Sequence, residues 1–276
     1  MLQDKMTTLS IVTVVANDRP GLKNTFDSLL SQEEKDFEWV IVDAESTDGT
    51  YEFILEAISE QKNFEIRVLS EPDDGIYDAM NKGVALAQGI YAMFLNSGDT
   101  LYNEKVLKKL LIEIDKCMNV SVVKLPILYG DYVRIFADGR SMPSRAKDPK
   151  YIYHSLPTSH QAILYPINFL KENLYDLNYR ISGDYYITAK AFSLGYELRK
   201  ISMIVSCFVT GGTASQNSAL VMKENARVQR EVLDMSLFPV FRSFVRRFIN
   251  MMVIRAIHRK WPGSSILLNI LNRVKG

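Results

Sequence analysis

Two acidic side chains directly follow apolar runs that predict buried strands. Asp43 lies near the end of the run Phe37–Ala44, and Asp99 ends the turn Asn-Ser-Gly-Asp that follows "YAMFL". A carboxylate at a strand end can accept hydrogen bonds from turn amides. It can also hold a divalent cation that takes further oxygen ligands from phosphate and water. Each acid taken alone is compatible with either use.

A third acidic stretch, Ser70–Gly83, places two aspartates, the second of them Asp74, before a glycine. Pro-Asp-Asp-Gly forms a good turn, and acids stabilise the start of a helix. Tyr77, Asn81 and Lys82 follow at roughly helical spacing. These polar groups exceed what a turn requires, and they predict a binding loop.

Asp184 lies in the first turn of a predicted helix that Ser182 could cap. An acid there can stabilise the helix dipole, or it can act as a rigidly held general base. His160, which precedes an apolar strand, is more often structural than catalytic in such a position. The three histidines, His154, His160 and His258, lack the spacing of a zinc site. The remaining candidate site residues are Gln161 and the pair Gly211 and Gly212.

The elements that must position these side chains alternate along the first hundred residues. Strand-like segments at Leu9–Ala16, Phe37–Ala44, Phe64–Glu71 and Tyr91–Asn96 alternate with helix-like segments at Gly21–Gln32, Tyr51–Glu60 and Ile76–Gln88. Near-continuous apolar strands that alternate with helices predict an α/β fold with a parallel sheet covered on both faces. Ligands bind outside the carboxyl ends of such strands, where Asp43 and Asp99 are expected.

The second half of residues 1–234 has a less regular pattern. A helix is predicted from about Tyr102, a strand near Ile127–Phe136, and a long loop over Ala137–Pro157. Further strands are predicted within His160–Pro166 and Ile201–Val209. The chain has neither a GxGxxG fingerprint nor a P-loop.

Bulk composition is that of an ordinary globular protein. The chain has 276 residues, of which 47% are hydrophobic and 24% charged, enough for one large domain or two small ones. Its two cysteines, Cys117 and Cys207, form no disulfide framework and fit a reducing cytoplasm. We expect neither a signal peptide nor a transmembrane helix.

The charge is divided unevenly along the chain. Residues 1–234 carry 25 basic residues and all 32 acids, a formal charge of −7, whereas 235–276 carries eight basic residues and no acid. This basic tail is predicted to be a separate amphipathic helical segment that follows a domain spanning 1–234. Its apolar stripe would consist of Phe241, Phe244, Val245, Phe248 and Met252, flanked by Arg242, Arg246 and Arg247.

The tail allows two interpretations. It can pack on the acidic body with its arginines in solvent, or it can lie on an anionic membrane surface. No nucleic-acid-binding motif accompanies the charge, so nucleic acid is not an expected partner. The sequence gives no indication of an oligomeric state.

Several segments, taken in order, resemble the inverting glycosyltransferases of family 2, which have the GT-A fold. They are "SIVTVVAND", "VDAESTDGT", "SEPDDGIYDAMNKG", "FLNSGD", "SHQAILYP", "ISGDYY" and "GGTAS". Within the family they are most similar to bacterial transferases of colanic acid and exopolysaccharide synthesis. The resemblance spans Leu9 to Ser215 and implies a Rossmann-like, mixed but mainly parallel sheet flanked by helices, here followed by the basic helical tail.

The resemblance also implies roles for the matching positions. Asp43 and Asp74 would contact the base and ribose of a nucleotide sugar, and Asp99 would ligate Mg²⁺ or Mn²⁺ through the donor diphosphate. Asp184 would be the catalytic base. Further donor contacts would come from Tyr77, Asn81, Lys82, Asn96 and Gly98. Residues of an acceptor or diphosphate site would be His160, Gln161, Gly211 and Gly212.

The chain departs from the family pattern at two positions. Asn96 stands where the first acid of the Asp-x-Asp motif is expected, so we expect weaker metal binding than from two carboxylates. Gly183 precedes the predicted base where the family has an acid.

The implied activity is inverting, metal-assisted transfer of a sugar from a nucleotide-diphospho-sugar to a hydroxyl of a lipid-linked saccharide. It would take place in the cytoplasm, on the inner face of the cytoplasmic membrane, during bacterial cell-surface polysaccharide synthesis. Two alternatives stay open. A nucleotidyltransferase that makes nucleotide sugars would be expected to carry a glycine-rich basic loop after the first strand, whereas Ala16–Asn24 has one glycine and two basic residues. The second alternative is a non-catalytic protein that has the GT-A fold and is a partner in a membrane polysaccharide complex.

Overall fold

Four parallel strands with their connecting helices form the first half of the computed structural model. The structure describes residues 7–120, 123–211, 217–245 and 249. The strands are β1 (Leu9–Val15), β2 (Phe37–Asp43), β3 (Glu65–Ser70), β4 (Tyr91–Phe94), β5 (Thr100–Leu101), β6 (Ile127–Ile135), β7 (Ser141–Ser144), β8 (Ile163–Pro166) and β9 (Leu198–Val209). The α-helices are α1 (Arg19–Leu30), α2 (Thr50–Glu60), α3 (Ile76–Leu86), α4 (Val106–Met118), α5 (Ile167–Glu172), α6 (Gly183–Ser193) and α7 (Ser218–Glu231).

The strands form one mixed sheet in the order β3-β2-β1-β4-β8-β6-β9-β5, with β7 added beside β6. β1 to β4 pair in parallel, whereas β8 is antiparallel to both β4 and β6. The parallel ladders, which include β6 with β9, contain most of the paired residues. The predicted mixed, mainly parallel α/β fold is therefore confirmed.

Both faces of the sheet are buried. Ile11, Ile41 and Met93 face one apolar cluster, while Val12 and Val40 face the other. Because successive side chains of a strand point to opposite faces, a strand between two cores must be apolar at nearly every position. This explains the near-continuous apolar runs of β1 and β2, every residue of which is buried.

The sequence-based boundaries hold for most elements, with two corrections. The helix expected from about Tyr102 begins at Val106. The segment Ala137–Pro157 is not one loop, because it contains β7 and a 3₁₀ helix over Pro149–Tyr153. β7 runs antiparallel to β6, and its residues, Ser-Met-Pro-Ser, lack the apolar alternation by which strands are recognised.

The C-terminal part of the described chain continues from α7. Residues 237–245 are helical, and the preceding turn is tied to α7 because the backbone N–H of Met235 donates to the carbonyl of Gln229 at 2.9 Å. Residues 246–248 and 250–276 of the predicted tail lie outside the described residues, so the division at 234/235 stays a prediction. Within the described ranges, no helix is both long and apolar enough to cross a membrane.

Candidate active site

The turn after β4 has a fixed geometry that requires its glycine. The backbone N–H of Asp99 donates to the carbonyl of Asn96 at 2.9 Å, which closes the turn. Gly98 has a φ of +86°, in the left-handed region where a side chain is strained. The Asn-Ser-Gly-Asp motif therefore forms a tight turn that presents Asn96 and Asp99 at the carboxyl edge of the sheet.

Helix α1 holds this turn from behind. The buried hydroxyl of Thr25 accepts from the N–H of Gly98 at 3.1 Å and donates to the carbonyl of Asp99 at 2.8 Å. The hydroxyl of Ser97 donates to Asp18 Oδ2 at 2.8 Å. Asp18 also caps α1, so the first helix and the turn after β4 share hydrogen bonds.

Asp99 itself is only 8% exposed. Its Oδ2 accepts a hydrogen bond from Gln161 Nε2 at 2.9 Å. Burial raises the pKa of this carboxyl to about 6, while the neighbouring His160 ring and the bond from Gln161 act in the opposite direction. A carboxylate that is this costly to ionise is favourably placed to receive a cation.

His160 connects the turn to helix α6. Its Nε2 lies 3.2 Å from the side-chain nitrogen of Asn96, and its Nδ1 lies 3.3 Å from Asp184 Oδ2. Nε2 is thus the ring nitrogen that faces the Asn96 amide, and Nδ1 is the one that faces the Asp184 carboxyl. The imidazole thus separates the two polar groups at a fixed distance and orients both.

Asp184 is positioned in the first turn of α6, as predicted. Its Oδ1 is buried, and among the described residues it makes no hydrogen bond of ordinary geometry. Burial raises the pKa of this carboxyl, while His160 and the nearby hydroxyl of Tyr175 lower it. Tyr175 is the neighbour whose hydroxyl lies close to this carboxyl. The Asp184 side chain keeps 15% of its surface exposed, which leaves a way for an incoming donor group to reach it.

Three predicted donor-binding residues on α3 have partners within the protein. The Tyr77 hydroxyl donates to the carbonyl of Ile181 at 2.6 Å. The Asn81 amide clamps the backbone of Tyr175, donating to its carbonyl at 3.0 Å and accepting from its N–H at 2.8 Å. Tyr77 and Asn81 thereby support the segment before α6.

Lys82, the third of these residues, forms ion pairs with Glu71 at 2.9 Å and Asp78 at 3.1 Å. Its Nζ also donates to the carbonyl of Pro72 at 2.6 Å. These contacts fold the Pro-Asp-Asp-Gly turn back onto α3. Donor contact by Tyr77, Asn81 and Lys82 stays a prediction.

The remaining predicted donor residues lie along the same sheet edge. Asp43 is fully buried and accepts from the Ser70 hydroxyl at 2.7 Å and the Ser46 N–H at 3.2 Å. This is the turn-amide arrangement that a strand-end acid commonly adopts. Asp74, by contrast, is exposed on the loop after β3.

The structure brings five of the predicted residues into one cluster at the end of β4 and the start of β8. They are Asn96, Asp99, His160, Gln161 and Asp184. Gly211 has a φ of +120° just after β9, and Gly212 lies outside the described residues.

The cluster offers only a few oxygen ligands for a divalent cation. Among the described residues, no group of three or more His, Cys, Asp and Glu is arranged to hold a metal. The side-chain oxygen of Asn96 is buried and makes no hydrogen bond to any residue that the structure describes, and Asp99 lies in the same turn. One amide oxygen and one carboxylate suit Mg²⁺ or Mn²⁺ when phosphate oxygens and water supply the other ligands.

Sequence reasoning missed Thr25, Tyr175 and Glu224. Thr25 is a buried polar residue on the otherwise apolar face of α1, between Leu22 and Leu29. Its position on that face is the one feature of the sequence that could have indicated a role for it. Glu224 on α7 accepts hydrogen bonds from the backbone that leads into α6. Ser182 occupies the N-cap position there, but its side chain makes no capping bond.

Comparisons with known proteins agree with this architecture. The model of the family "Glycosyl transferase family 2" matches residues 10–165, more than half of the chain. The chain belongs to glycosyltransferase family 2. A relative in Mycobacterium bovis, a PGL/p-HBAD biosynthesis glycosyltransferase, is 31% identical over 185 residues, which is 67% of this chain and 69% of the relative.

Solved glycosyltransferase structures share the fold of this family 2 chain. Staphylococcus aureus TarS 1–349 superposes with a TM-score of 0.64 at 19% identity, covering 91% of this chain and 74% of TarS. The mannosyltransferase PcManGT from Pyrobaculum calidifontis, in complex with GDP-Man and Mn²⁺, has a TM-score of 0.62 at 12% identity, covering 99% and 82%. At these identities the likeness shows the fold.

The buried charge of Asp99 predicts that Asp99→Asn stabilises the metal-free protein. The folded-state pKa of about 6 lies above the usual 3.8, so ionisation costs nothing below pH 4 and its full cost applies above pH 6. We expect the stability gain of the variant over the wild type to grow by about 2–3 kcal/mol between pH 4 and pH 7.

Urea denaturation with EDTA at several pH values measures this gain. The control is Asp138→Asn, an exposed acid whose pKa the hydrogen bonds from Arg140 lower, so this variant should lose stability relative to the wild type as the pH rises. A pH-independent difference between Asp99→Asn and the wild type would show that the Asp99 charge is not costly in the fold.

Proposed function

We propose that this family 2 glycosyltransferase uses Asp184 as the general base for inverting transfer of a sugar from a nucleotide-diphospho-sugar to a hydroxyl group. The observation that carries the proposal is the placement of the Asp184 carboxyl at the start of α6, where the side chain is still 15% exposed and Oδ2 lies 3.3 Å from His160 Nδ1. An acceptor hydroxyl that donates to this carboxyl would lie in place for proton transfer.

The electrostatics of Asp184 suit that role. Burial raises the pKa of its carboxyl, and a base whose pKa approaches the working pH removes protons more effectively. His160 Nδ1, 3.3 Å from Oδ2, keeps the carboxyl oriented. In the proposed step the Asp184 carboxylate takes the hydroxyl proton while the oxygen attacks the anomeric carbon. The bond to the nucleoside diphosphate breaks on the opposite face.

Asn96 and Asp99 are proposed to hold Mg²⁺ or Mn²⁺ together with the donor diphosphate. When bound, the cation would neutralise charge that develops on the leaving diphosphate. The Mn²⁺ in the complex of PcManGT supports a divalent metal in this fold. Gly98, with no side chain, leaves the turn backbone open to a diphosphate.

The nucleotide is proposed to lie along the edge formed by β1 to β3. Asp74 is exposed there. The loops after β1 and β2 are joined because the Thr47 N–H donates to Asn17 Oδ1 at 2.8 Å and the Asn17 N–H donates to Ser46 Oγ at 2.8 Å. TarS has been solved in complex with UDP-GlcNAc, and PcManGT with GDP-Man. These neighbours support a nucleotide-sugar donor, and UDP-, GDP- and dTDP-sugars are the candidates.

For the acceptor, we propose a lipid-linked saccharide in bacterial cell-surface polysaccharide synthesis. The apolar side chains of the described C-terminal helix support this choice. Leu237, Phe238 and Phe241 are 68%, 75% and 66% exposed, and exposed Arg242 follows them. Exposed apolar residues beside basic ones are typical of a helix that lies on an anionic membrane surface. Part of the predicted stripe and of its flanking arginines lies outside the described residues, namely Phe248, Met252, Arg246 and Arg247.

The role of Asp184 predicts that Asp184→Asn keeps donor affinity and loses turnover. We expect a loss of about 10²–10⁴-fold in the rate of transfer, the contribution of a positioned base. The measurement is release of nucleoside diphosphate from a panel of UDP-, GDP- and dTDP-sugars with polyprenyl-diphosphate-linked saccharides as acceptors.

Asp138→Asn is the control for loss of an acid elsewhere on the surface, and it should transfer at the wild-type rate. Wild-type turnover by Asp184→Asn would remove Asp184 from the role of base. A folded wild type that binds nucleotides but turns over none of the panel would favour a non-catalytic partner.

The membrane proposal predicts that the triple variant Leu237→Ser, Phe238→Ser, Phe241→Ser no longer binds to anionic vesicles. Because these three side chains are exposed, their replacement should leave the melting temperature unchanged. Flotation with vesicles of phosphatidylglycerol and phosphatidylcholine measures binding. The control replaces Leu55 and Leu174, exposed apolar residues elsewhere on the surface, and should still float. Equal flotation of the triple variant and the wild type would refute seating through this helix.

A further inference from the structure

The carboxylate of Glu224 on α7 accepts three hydrogen bonds from consecutive backbone N–H groups. Arg180 donates to Oε1 at 2.9 Å, and Ile181 and Ser182 donate to Oε2 at 3.0 and 2.8 Å. Glu224 is only 6% exposed. These three residues lead directly into α6, whose first turn contains Asp184.

A helix start needs acceptors for its backbone N–H groups, and a negative charge there is stabilising. The local sequence does not supply the acceptor, since Ser182 makes no side-chain capping bond. Glu224, 42 residues further along the chain than Ser182, accepts instead from the three residues that precede α6, and it thereby fixes the backbone that enters the helix. Hydrogen bonds to a charged acceptor are short and strong, so they fix this backbone more firmly than a neutral cap would.

Tyr77 holds the same segment from α3. Its hydroxyl donates to the Ile181 carbonyl at 2.6 Å, and a Cβ at Gly183 would lie 2.6 Å from its ring. The glycine that departs from the family pattern is therefore required by the tyrosine ring. The backbone is held on its carbonyl side by Tyr77 and on its N–H side by Glu224.

We propose that Glu224 is a positioning residue for the base Asp184, and that α7, which follows the matched family region, completes the catalytic site. This inference rests on the proposed function of Asp184. Glu224 does not touch the reacting atoms. It fixes the backbone from which the Asp184 carboxyl reaches His160 Nδ1, 3.3 Å away.

Helix α7 has anchors that do not depend on Glu224. The Gln229 amide donates to the carbonyls of Tyr153 at 3.1 Å and His154 at 3.0 Å. Val228 is fully buried, and the Arg227 guanidinium lies over the Tyr179 ring, 4.6 Å from its centroid. A change at Glu224 should therefore disturb the start of α6 while α7 stays in place.

The test compares Glu224→Gln and Glu224→Ala with Glu231→Gln. Glu231 is the matched control, because it lies on the same helix and forms an exposed pair with Arg227 at 2.8 Å. Amide hydrogen exchange of the segment 179–186 reports how firmly Glu224 holds the backbone that enters α6. The ring ¹⁵N signals of His160, assigned with a His160→Gln variant, report whether Asp184 still faces Nδ1.

We expect exchange of the Arg180, Ile181 and Ser182 amides to rise at least tenfold in both Glu224 variants, together with a change in the His160 ring signals. Turnover should fall by about 10–100-fold, since a misplacement of about 1 Å can cost 10²-fold, while KM for the donor stays within about twofold. Glu231→Gln should match the wild type in every readout.

Unchanged exchange and unchanged His160 signals in a folded Glu224→Gln protein would overturn the proposal, and so would altered exchange with wild-type turnover. If Glu224→Ala fails to fold, Glu224→Gln decides, since it retains the size of the side chain. Failure of the proposed function has a different signature, because the wild type itself would then show no transfer. The exchange and ring signals would still report whether Glu224 orders the start of α6.

Discussion

A carboxylate held out of water at the start of α6 is the constraint on which the site depends. Removing an ionisable oxygen from solvent is unfavourable unless another group satisfies it, and Oδ1 of Asp184 is buried without a hydrogen bond of ordinary geometry in the described part of the chain. Such an arrangement persists only when the surrounding structure fixes it. His160, Tyr77 and Glu224 provide that support from three separate parts of the chain.

The sheet topology brings these parts together. The parallel half of the sheet delivers the turn after β4, and the antiparallel pairing of β8 with β4 places the residues before β8 beside that turn. With Met93 opposite Leu164 in the ladder, His160 and Gln161 reach Asn96 and Asp99. A parallel sheet alone would have sent the start of β8 to the opposite edge, and the switch in strand direction is therefore what assembles the cluster.

Much of this arrangement could be predicted from the sequence. Apolar strands alternating with helices indicated β1 to β4, and the acids after β2 and β4 fell at the expected edge. Asp184 was found because a helix start can be recognised from nearby residues alone. These features depend on local patterns of a few residues, which a sequence displays directly.

The rest depends on contacts between distant segments. Nothing near Glu224 indicates that its carboxylate serves a backbone some forty residues earlier. Tyr77 and Asn81 were predicted to contact a ligand because a turn alone does not require their polar groups. In the structure they bind backbone atoms of Ile181 and Tyr175. Gly183 departed from the family pattern for a reason that only the Tyr77 ring explains. In each case the partner is set by tertiary packing, which local spacing does not encode.

The most direct test of the central claim is calorimetric binding of UDP, GDP and dTDP, each with and without Mn²⁺, to the wild type, Asp99→Ala and Asp184→Asn. The account predicts that one nucleotide binds in a metal-dependent way, that Asp99→Ala loses this binding, and that Asp184→Asn keeps it. Equal binding with and without Mn²⁺, undiminished in Asp99→Ala, would contradict the assignment of the turn after β4 to a metal-bound diphosphate. No binding of any nucleotide by the folded wild type would contradict the donor site altogether.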